Sequence, residues 1–203
     1  MTICLVTDRR RADPVAQARW AVDAGIDLFQ IRERDLDAAA LAALVRAVLD
    51  VTRGSRTLVI VNDRIDVAIA CAADGVHLRG DSIAAAAARQ LVRDRVLIGR
   101  SIHTLEEVSA SDGADYLIAG TAFPTSSKPA GTASLGEEGI RRLAQAARLP
   151  VLAIGGVSLE NTAAIARAGA AGIAAIGLFA TPERLGEVVR QLRVRFDTAK
   201  TAP

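Results

Sequence analysis

The sequence predicts an α/β fold, a single-domain (β/α)8 TIM barrel over residues 1–197. Three observations carry that prediction. Short apolar runs alternate with Ala- and Leu-rich helical stretches along the whole chain. The runs are continuously apolar, as strands covered on both faces are, rather than polar at every second position. The chain is also large enough for one well-buried core: of 203 residues 51% are hydrophobic, and with aromatics at only 3% that core is made of Ala, Val, Ile and Leu. An open doubly wound sheet is the alternative, but no Gly-rich fingerprint follows the first run.

In chain order, strands are predicted at 2–7, 27–32, 57–62, 75–78, 95–99, 114–119, 150–154 and 172–176. Helices are predicted at 14–24, 37–52, 63–71, 82–93, 104–111, 137–147, 158–168 and 182–195. Thr104-Leu105-Glu106-Glu107 is a capping box, and Ser158 before Glu160 and Asn161 reads as an N-cap. Thr181-Pro182 puts proline at a first helical position. Ala24-Gly25, Asp112-Gly113 and Ala168-Gly169 mark helix ends just before the next strand. The connection 120–136 is much longer than the rest, and such loops inside compact domains are usually functional. Residues 198–203 read as a flexible C-terminal tail.

Two glycine turns close the pattern: Ile154-Gly155-Gly156-Val157-Ser158 and Ile176-Gly177-Leu178-Phe179. Each follows a buried run and opens toward a helix. Glycine lets backbone approach an anion, and a helix N-terminus offers free N–H groups. Alone, Gly155-Gly156 reads as an ordinary tight turn. Two such turns one βα unit apart predict the phosphate site that the seventh and eighth loops of a barrel form.

Composition excludes several classes. A formal net charge of +2 argues against nucleic acid and against a membrane surface, and no basic-aromatic interleaving offers base stacking. Cys4 and Cys71 make no metal-ligand spacing and no disulfide framework, so a reducing cytoplasmic setting is expected. Thr7-Asp8-Arg9-Arg10-Arg11 interrupts the first apolar run too early for a signal peptide, and no run is long enough for a bilayer span. Oligomeric state stays open, a homo-oligomer included.

The strand ends carry the polar chemistry, because catalytic groups of such barrels sit at that rim. They read Gln30-Ile31-Arg32-Glu33-Arg34, Asn62-Asp63-Arg64, His77-Leu78-Arg79-Gly80-Asp81 and Gly99-Arg100-Ser101-Ile102-His103. The long sixth loop adds Thr125-Ser126-Ser127-Lys128. Guanidinium and ammonium groups suit a diphosphate, with amides and hydroxyls filling its remaining acceptor positions. Asp63 and Asp81 suit magnesium, which binds through one or two carboxylates plus substrate phosphates. Each piece has a plainer reading. Arg32 and Arg34 can pair with Glu33 and Asp35, Asn62-Asp63 can be a helix cap, and His77 can be a satisfied core or rim histidine. The gathering of anion binders at one rim on most strands favours the phosphate reading.

Taken together these motifs resemble the thiamine phosphate synthase and TenI superfamily over nearly the whole chain. The resemblance is carried by Gln30-Ile31-Arg32-Glu33-Arg34, Val61-Asn62-Asp63-Arg64, Asp74-Gly75-Val76-His77-Leu78, Gly99-Arg100-Ser101-Ile102-His103, Phe123-Pro124-Thr125-Ser126-Ser127-Lys128 and Ala153-Ile154-Gly155-Gly156. In the synthase branch it implies a transferase of thiamine biosynthesis that joins hydroxymethylpyrimidine diphosphate to thiazole phosphate and releases pyrophosphate. It then assigns Gln30, Arg32, Arg34, Asn62, Ser101, Thr125, Ser127 and Lys128 to the diphosphate and its reaction. Mg2+ falls to Asp63 and Asp81, and the thiazole phosphate to Gly155, Gly156, Ile176 and Gly177. The chain departs from that pattern in two places: Arg34 stands where Lys is usual, and the segment after His77 is one residue shorter, so Asp81 matches only across a gap. The TenI branch implies instead a thiazole tautomerase acting on thiazole phosphate carboxylate, with His103 in an acid–base role. A non-catalytic ligand-binding paralogue is the third reading. Retained Asp63, Asp81 and Lys128 favour the synthase, since a tautomerase has no leaving pyrophosphate.

Overall fold

The computed structural model describes all residues except Arg93, Arg95, Ser126, Ser127, Lys128, Ala130, Ala202 and Pro203. Its elements alternate throughout: β1 (Thr2–Val6), α1 (Pro14–Ala24), β2 (Leu28–Ile31), α2 (Ala38–Thr52), β3 (Leu58–Asn62), α3 (Ile65–Cys71), β4 (Gly75–Leu78), α4 (Ala85–Val92), β5 (Leu97–Ile102), α5 (Leu105–Ser109), β6 (Tyr116–Gly120), α6 (Gly136–Ala146), β7 (Val151–Ile154), α7 (Thr162–Arg167), β8 (Gly172–Ala175) and α8 (Pro182–Thr201). The strands form a closed parallel barrel in sequence order, with β8 paired to β1 through Thr2–Gly172 and Cys4–Ala174. The predicted barrel is thus the one observed, with no open edge.

Strand alternation sorts the apolar residues into two clusters. Cys4, Val6, Leu28, Ile60, Tyr116, Ile118, Leu152 and Ala174 fill the barrel interior. The larger cluster lies between strands and helices, where Ile3, Leu5, Phe29, Val59 and Val61 meet Ala18, Val45, Leu192 and Phe196. The interior is narrow enough to demand glycine on β5: a Cβ at Gly99 would lie 2.3 Å from the Tyr116 ring and 2.5 Å from His77 Nδ1. Burial pushes the Cys4 thiol up to about 12, so it packs as an apolar group.

Several boundaries differ from the sequence expectation, each for a local reason. α1 and α2 begin behind the caps Asp13 and Asp37, whose carboxylates accept from Ala16 and Ala40 N–H. The capping box at Thr104 and Glu107 is present. α3 starts at Ile65 rather than at Asp63, because Asp63 has φ 63°, outside the helical region. α7 starts at Thr162 rather than Ser158, because the Ser158 N–H donates to Asn161 Oδ1 at 2.9 Å. β5 continues past Gly99 to Ile102, pairing Ser101 with Ile118 and Ile102 with Ala119. α4 starts at Ala85 rather than Ser82, whose hydroxyl accepts the Arg79 N–H at 3.0 Å. α8 runs on to Thr201, through residues for which a frayed tail is expected. No helix among the described residues is long and apolar enough to cross a membrane.

Candidate active site at the C-terminal rim of the barrel

The interior changes character as the strands rise. Ladder pairs set Val6 beside Gln30 and Asn62 beside His77, with His77 beside Gly99 in turn. The apolar floor therefore ends in a polar layer of Gln30, Asn62, His77 and Ser101. His77 is buried and its Nε2 lies 2.9 Å from Ser101 Oγ. Burial first, then the charges of Arg100 and Arg32, hold His77 down at about 3, so it is neutral at physiological pH. The reading of His77 as a satisfied core histidine holds for one ring nitrogen only. Its Nδ1, Gln30 Nε2 and the Tyr116 hydroxyl are buried polar atoms with no partner among the described residues.

Above this layer stand the cations. Arg32 follows β2, half-buried, and its N–H donates to Thr7 Oγ1 at 3.0 Å. Burial, then the neighbouring Arg34, pulls the Arg32 guanidinium below its ordinary value; Asp8 and Glu33 oppose this, and Arg79 adds to it. Arg32, Arg34 and Arg79 thus form one electropositive cluster. The plainer alternative, in which Glu33 and Asp35 pair with these arginines, is not the arrangement found. Glu33 turns to the opposite side, where it accepts from Thr7 Oγ1 at 2.5 Å and Arg9 N–H at 3.1 Å, and Asp35 pairs with Arg9 at 2.6 Å. Among the described residues neither Arg32 nor Arg34 has an ion-pair partner. Cationic groups kept free of internal carboxylates are what an anionic ligand requires.

The two carboxylates expected to hold metal share a cation of the protein's own. Arg79 Nη1 lies 3.5 Å from Asp63 Oδ2, and Arg79 Nη2 donates to Asp81 Oδ2. The Ser82 hydroxyl donates to Asp63 Oδ1. Asp63 is no helix cap: its left-handed backbone and the bond from its N–H to His77 O, 2.9 Å, aim its carboxylate at the loop after β4. Both carboxylates open on a groove of ≈ 660 Å³ beside α3 and α4. Among the described residues no three His, Cys, Asp or Glu side chains gather around one point. Two carboxylates that converge on one cation, one of them steadied by the Ser82 hydroxyl, nevertheless fit magnesium, which completes its shell with water and substrate phosphate.

The glycine turns stand side by side, since Ile154 pairs with Ala174. Gly155 and Gly156 have φ 96° and 62°, and a Cβ on Gly156 would lie 2.5 Å from Pro124 O. Gly156 is therefore also required by packing against the sixth loop. Ile176 leads into a single 3-10 turn, Gly177–Phe179, rather than a helix, and the α8 helix follows at Pro182. At Gly177 only Arg11 Nη1 approaches the Cβ position, at 3.8 Å. That guanidinium, from the loop after β1 and paired with Asp8 at 3.4 Å, is a cation beside the second glycine turn that the strand ends alone do not reveal. Arg79 was overlooked in its role too. A run of arginines in the first βα loop and an arginine between two acids were the available signals.

The remaining expected residues divide. Thr125 lies in the sixth loop; Ser127 and Lys128 lie outside the described residues. His103 follows β5 and its Cε1 lies 3.9 Å from the Cβ position of Gly80, in the loop after β4. Its side chain is 56% exposed, its Nδ1 sits 3.2 Å from Glu107 Oε2, and it lines a separate cavity of ≈ 250 Å³ with Leu135 and Arg142.

Fold and rim define a (β/α)8-barrel protein whose open end concentrates cationic groups. The thiamine monophosphate synthase family model matches residues 3–179, and the chain belongs to that family. It is 37% identical over 200 residues to a thiamine-phosphate synthase of Chlorobium luteolum, covering 98% of this chain and 94% of that one. It is 43% identical over 167 residues to the thiamine-phosphate synthase of Anaeromyxobacter dehalogenans, covering 81% and 75%. Among solved structures, thiamine phosphate pyrophosphorylase from Pyrococcus furiosus superposes with a TM-score of 0.86 at 30% identity, covering 98% of this chain and 96% of that one.

Proposed function

We propose that this chain is a thiamine-phosphate synthase, a transferase that joins hydroxymethylpyrimidine diphosphate to thiazole phosphate. Besides family membership, the observation that carries this reading is the free guanidinium pair Arg32–Arg34 above a neutral polar layer, next to two carboxylates already sharing a cation.

In this reading the bond between the pyrimidine methylene carbon and the diphosphate oxygen breaks first, and pyrophosphate leaves with the electron pair. The ring nitrogen of the thiazole then donates its lone pair to that carbon. Negative charge grows on the leaving group, so Arg32 and Arg34 bind the transition state more tightly than the ground state. Lys128 would add to them from the sixth loop. Gln30, whose Nε2 has no partner among the described residues, would offer an amide donor to the substrate, and Asn62 would orient the pyrimidine. Neutral His77 holds Ser101 beside the reacting layer without adding charge. The turns at Gly155, Gly156, Ile176 and Gly177, with Arg11 close by, would seat the thiazole phosphate. Magnesium held by Asp63 and Asp81 would neutralise diphosphate charge.

The test is pyrophosphate release from the pyrimidine diphosphate with thiazole phosphate present, with and without magnesium. Release that needs both substrates and the metal is the expected result. Isomerisation of thiazole phosphate carboxylate with no pyrophosphate formed would transfer the chain to the tautomerase reading.

A further inference from the structure

We propose that Arg79 is an exchangeable counter-ion: it ties Asp63 to Asp81 before a divalent cation enters, and swings to the anion site beside Arg32 when that cation takes its place. The inference rests on the magnesium reading of Asp63 and Asp81 above.

The geometry separates a fixed part from a movable part. The backbone of Arg79 is anchored, its N–H on Ser82 Oγ at 3.0 Å, and the same hydroxyl donates to Asp63. Asp63 is itself pinned through its N–H on His77 O. The guanidinium, by contrast, is held among the described residues by the two carboxylates alone and is 36% exposed, with Asp81 more exposed still. Anchors and carboxylates can stay in place while the head group leaves.

A guanidinium and a magnesium ion cannot share the space between these oxygens. Magnesium requires oxygen ligands at roughly 2.0–2.1 Å in an octahedron, whereas a guanidinium holds carboxylates at hydrogen-bond distance in a planar fork. Like charge adds repulsion. Entry of the metal therefore breaks both ion pairs. The freed head group has a destination: Ile31 pairs with Val61 and Asn62 with His77, so Arg32 and Arg79 leave the ends of β2 and β4 on the same rim, one strand apart. There it becomes a third guanidinium for an anionic ligand. The exchange links the two sites reciprocally: the metal frees a cation for the anion, and an anion that holds Arg79 raises metal affinity.

The experiment is calorimetric titration of MgCl2 alone into the wild-type chain, Arg79→Gln, and Arg79→Gln combined with Asp63→Asn. Asn tolerates the left-handed backbone at this position, so the second change preserves the loop. The expected result is that Arg79→Gln binds magnesium about tenfold tighter than wild type, the scale of relieving competition from two partly exposed ion pairs. The double variant then shows no binding. At saturating magnesium, inorganic pyrophosphate binds Arg79→Gln more weakly than wild type. Equal or weaker magnesium binding by Arg79→Gln overturns the exchange and leaves the metal site standing. Absence of magnesium binding in both wild type and Arg79→Gln overturns the metal reading, and the exchange falls with it. Unchanged pyrophosphate affinity overturns the movement toward Arg32.

Discussion

The two ends of the barrel treat charge in opposite ways. At the N-terminal end, carboxylates placed just before alternate strands tie the preceding strand. Asp27 accepts the Ile3 N–H at 2.7 Å, Asp74 that of Val59 at 2.7 Å, and Asp115 that of Ile98 at 2.7 Å. Arginines then neutralise two of them, Arg193 on Asp27 at 3.0 Å and Arg89 on Asp115. At the C-terminal end, Arg32 and Arg34 have no carboxylate partner among the described residues, and the buried atoms Gln30 Nε2 and His77 Nδ1 have no partner among them either. Gln17 Oε1 on α1 is also unmatched, but unspent polar capacity is destabilising, and its gathering at Gln30 and His77 beneath two free guanidinium groups points to where a ligand completes the structure. The same strands supply a self-satisfied end for stability and an unsatisfied end for chemistry.

The comparison breaks most sharply at Arg32. Arg32→Ala removes a guanidinium that no carboxylate among the described residues pairs with. Turnover should fall by roughly a hundredfold or more, the scale of losing one preorganised charge stabiliser. The melting temperature should hold or rise, since repulsion with Arg34 and Arg79 is relieved. Steady-state kinetics beside a thermal melt decide it; a variant that loses stability in proportion to activity would place Arg32 among structural groups.

Asp115→Ala should do the converse. It strips the acceptor from a buried strand N–H and the ion-pair partner from Arg89. A loss of about 1–3 kcal/mol is expected for such an unsatisfied donor, lowering Tm by roughly 2–4 °C per kcal/mol in a chain of this size. Turnover of the folded enzyme should be unchanged. A kinetic defect at temperatures where the variant is fully folded would mean that the two ends are coupled.

The fold was legible because a closed barrel depends on repeated local patterns, and apolar runs, caps such as Thr104 and helix ends such as Gly25 state those patterns within a few residues. The rim was legible as a set of residue types but not as a set of partners. Glu33 and Asp35 looked like counter-ions of Arg32 and Arg34 because they are sequence neighbours, yet strand alternation sends Glu33 to Thr7 and Arg9, twenty-odd positions away. Asp63 looked like a cap because it follows a strand, yet its backbone is left-handed. Arg79 bridging Asp63 and Asp81, and Arg11 reaching Gly177, depend on which loops the barrel closure brings together. No sequence window contains that information.

The smallest effect, and the one that sharpens the functional contrast, is expected at His103. This residue stands at the C-terminal end, directly after β5, but outside the free arginine pair. Its N–H and Nδ1 both serve Glu107, whose carboxylate also takes the Thr104 N–H, so His103 is bound into the cap of α5. It is well exposed, lines the cavity toward α6, and borders the loop after β4 with its Cε1 3.9 Å from the Cβ position of Gly80. A transferase whose leaving group departs as an anion and whose nucleophile is a ring nitrogen moves no proton through such a residue. His103→Ala should therefore lower kcat/KM by less than about tenfold, against the 10²–10⁴-fold that a lost general acid or base produces. Glu107 keeps its bonds to the α5 cap, so Tm should change little. A hundredfold loss in the pyrophosphate-release assay would instead bring the cavity beside α6 into the active site and assign proton transfer to His103. The contrast between the ends would then need a second catalytic region at the C-terminal end, outside the guanidinium cluster.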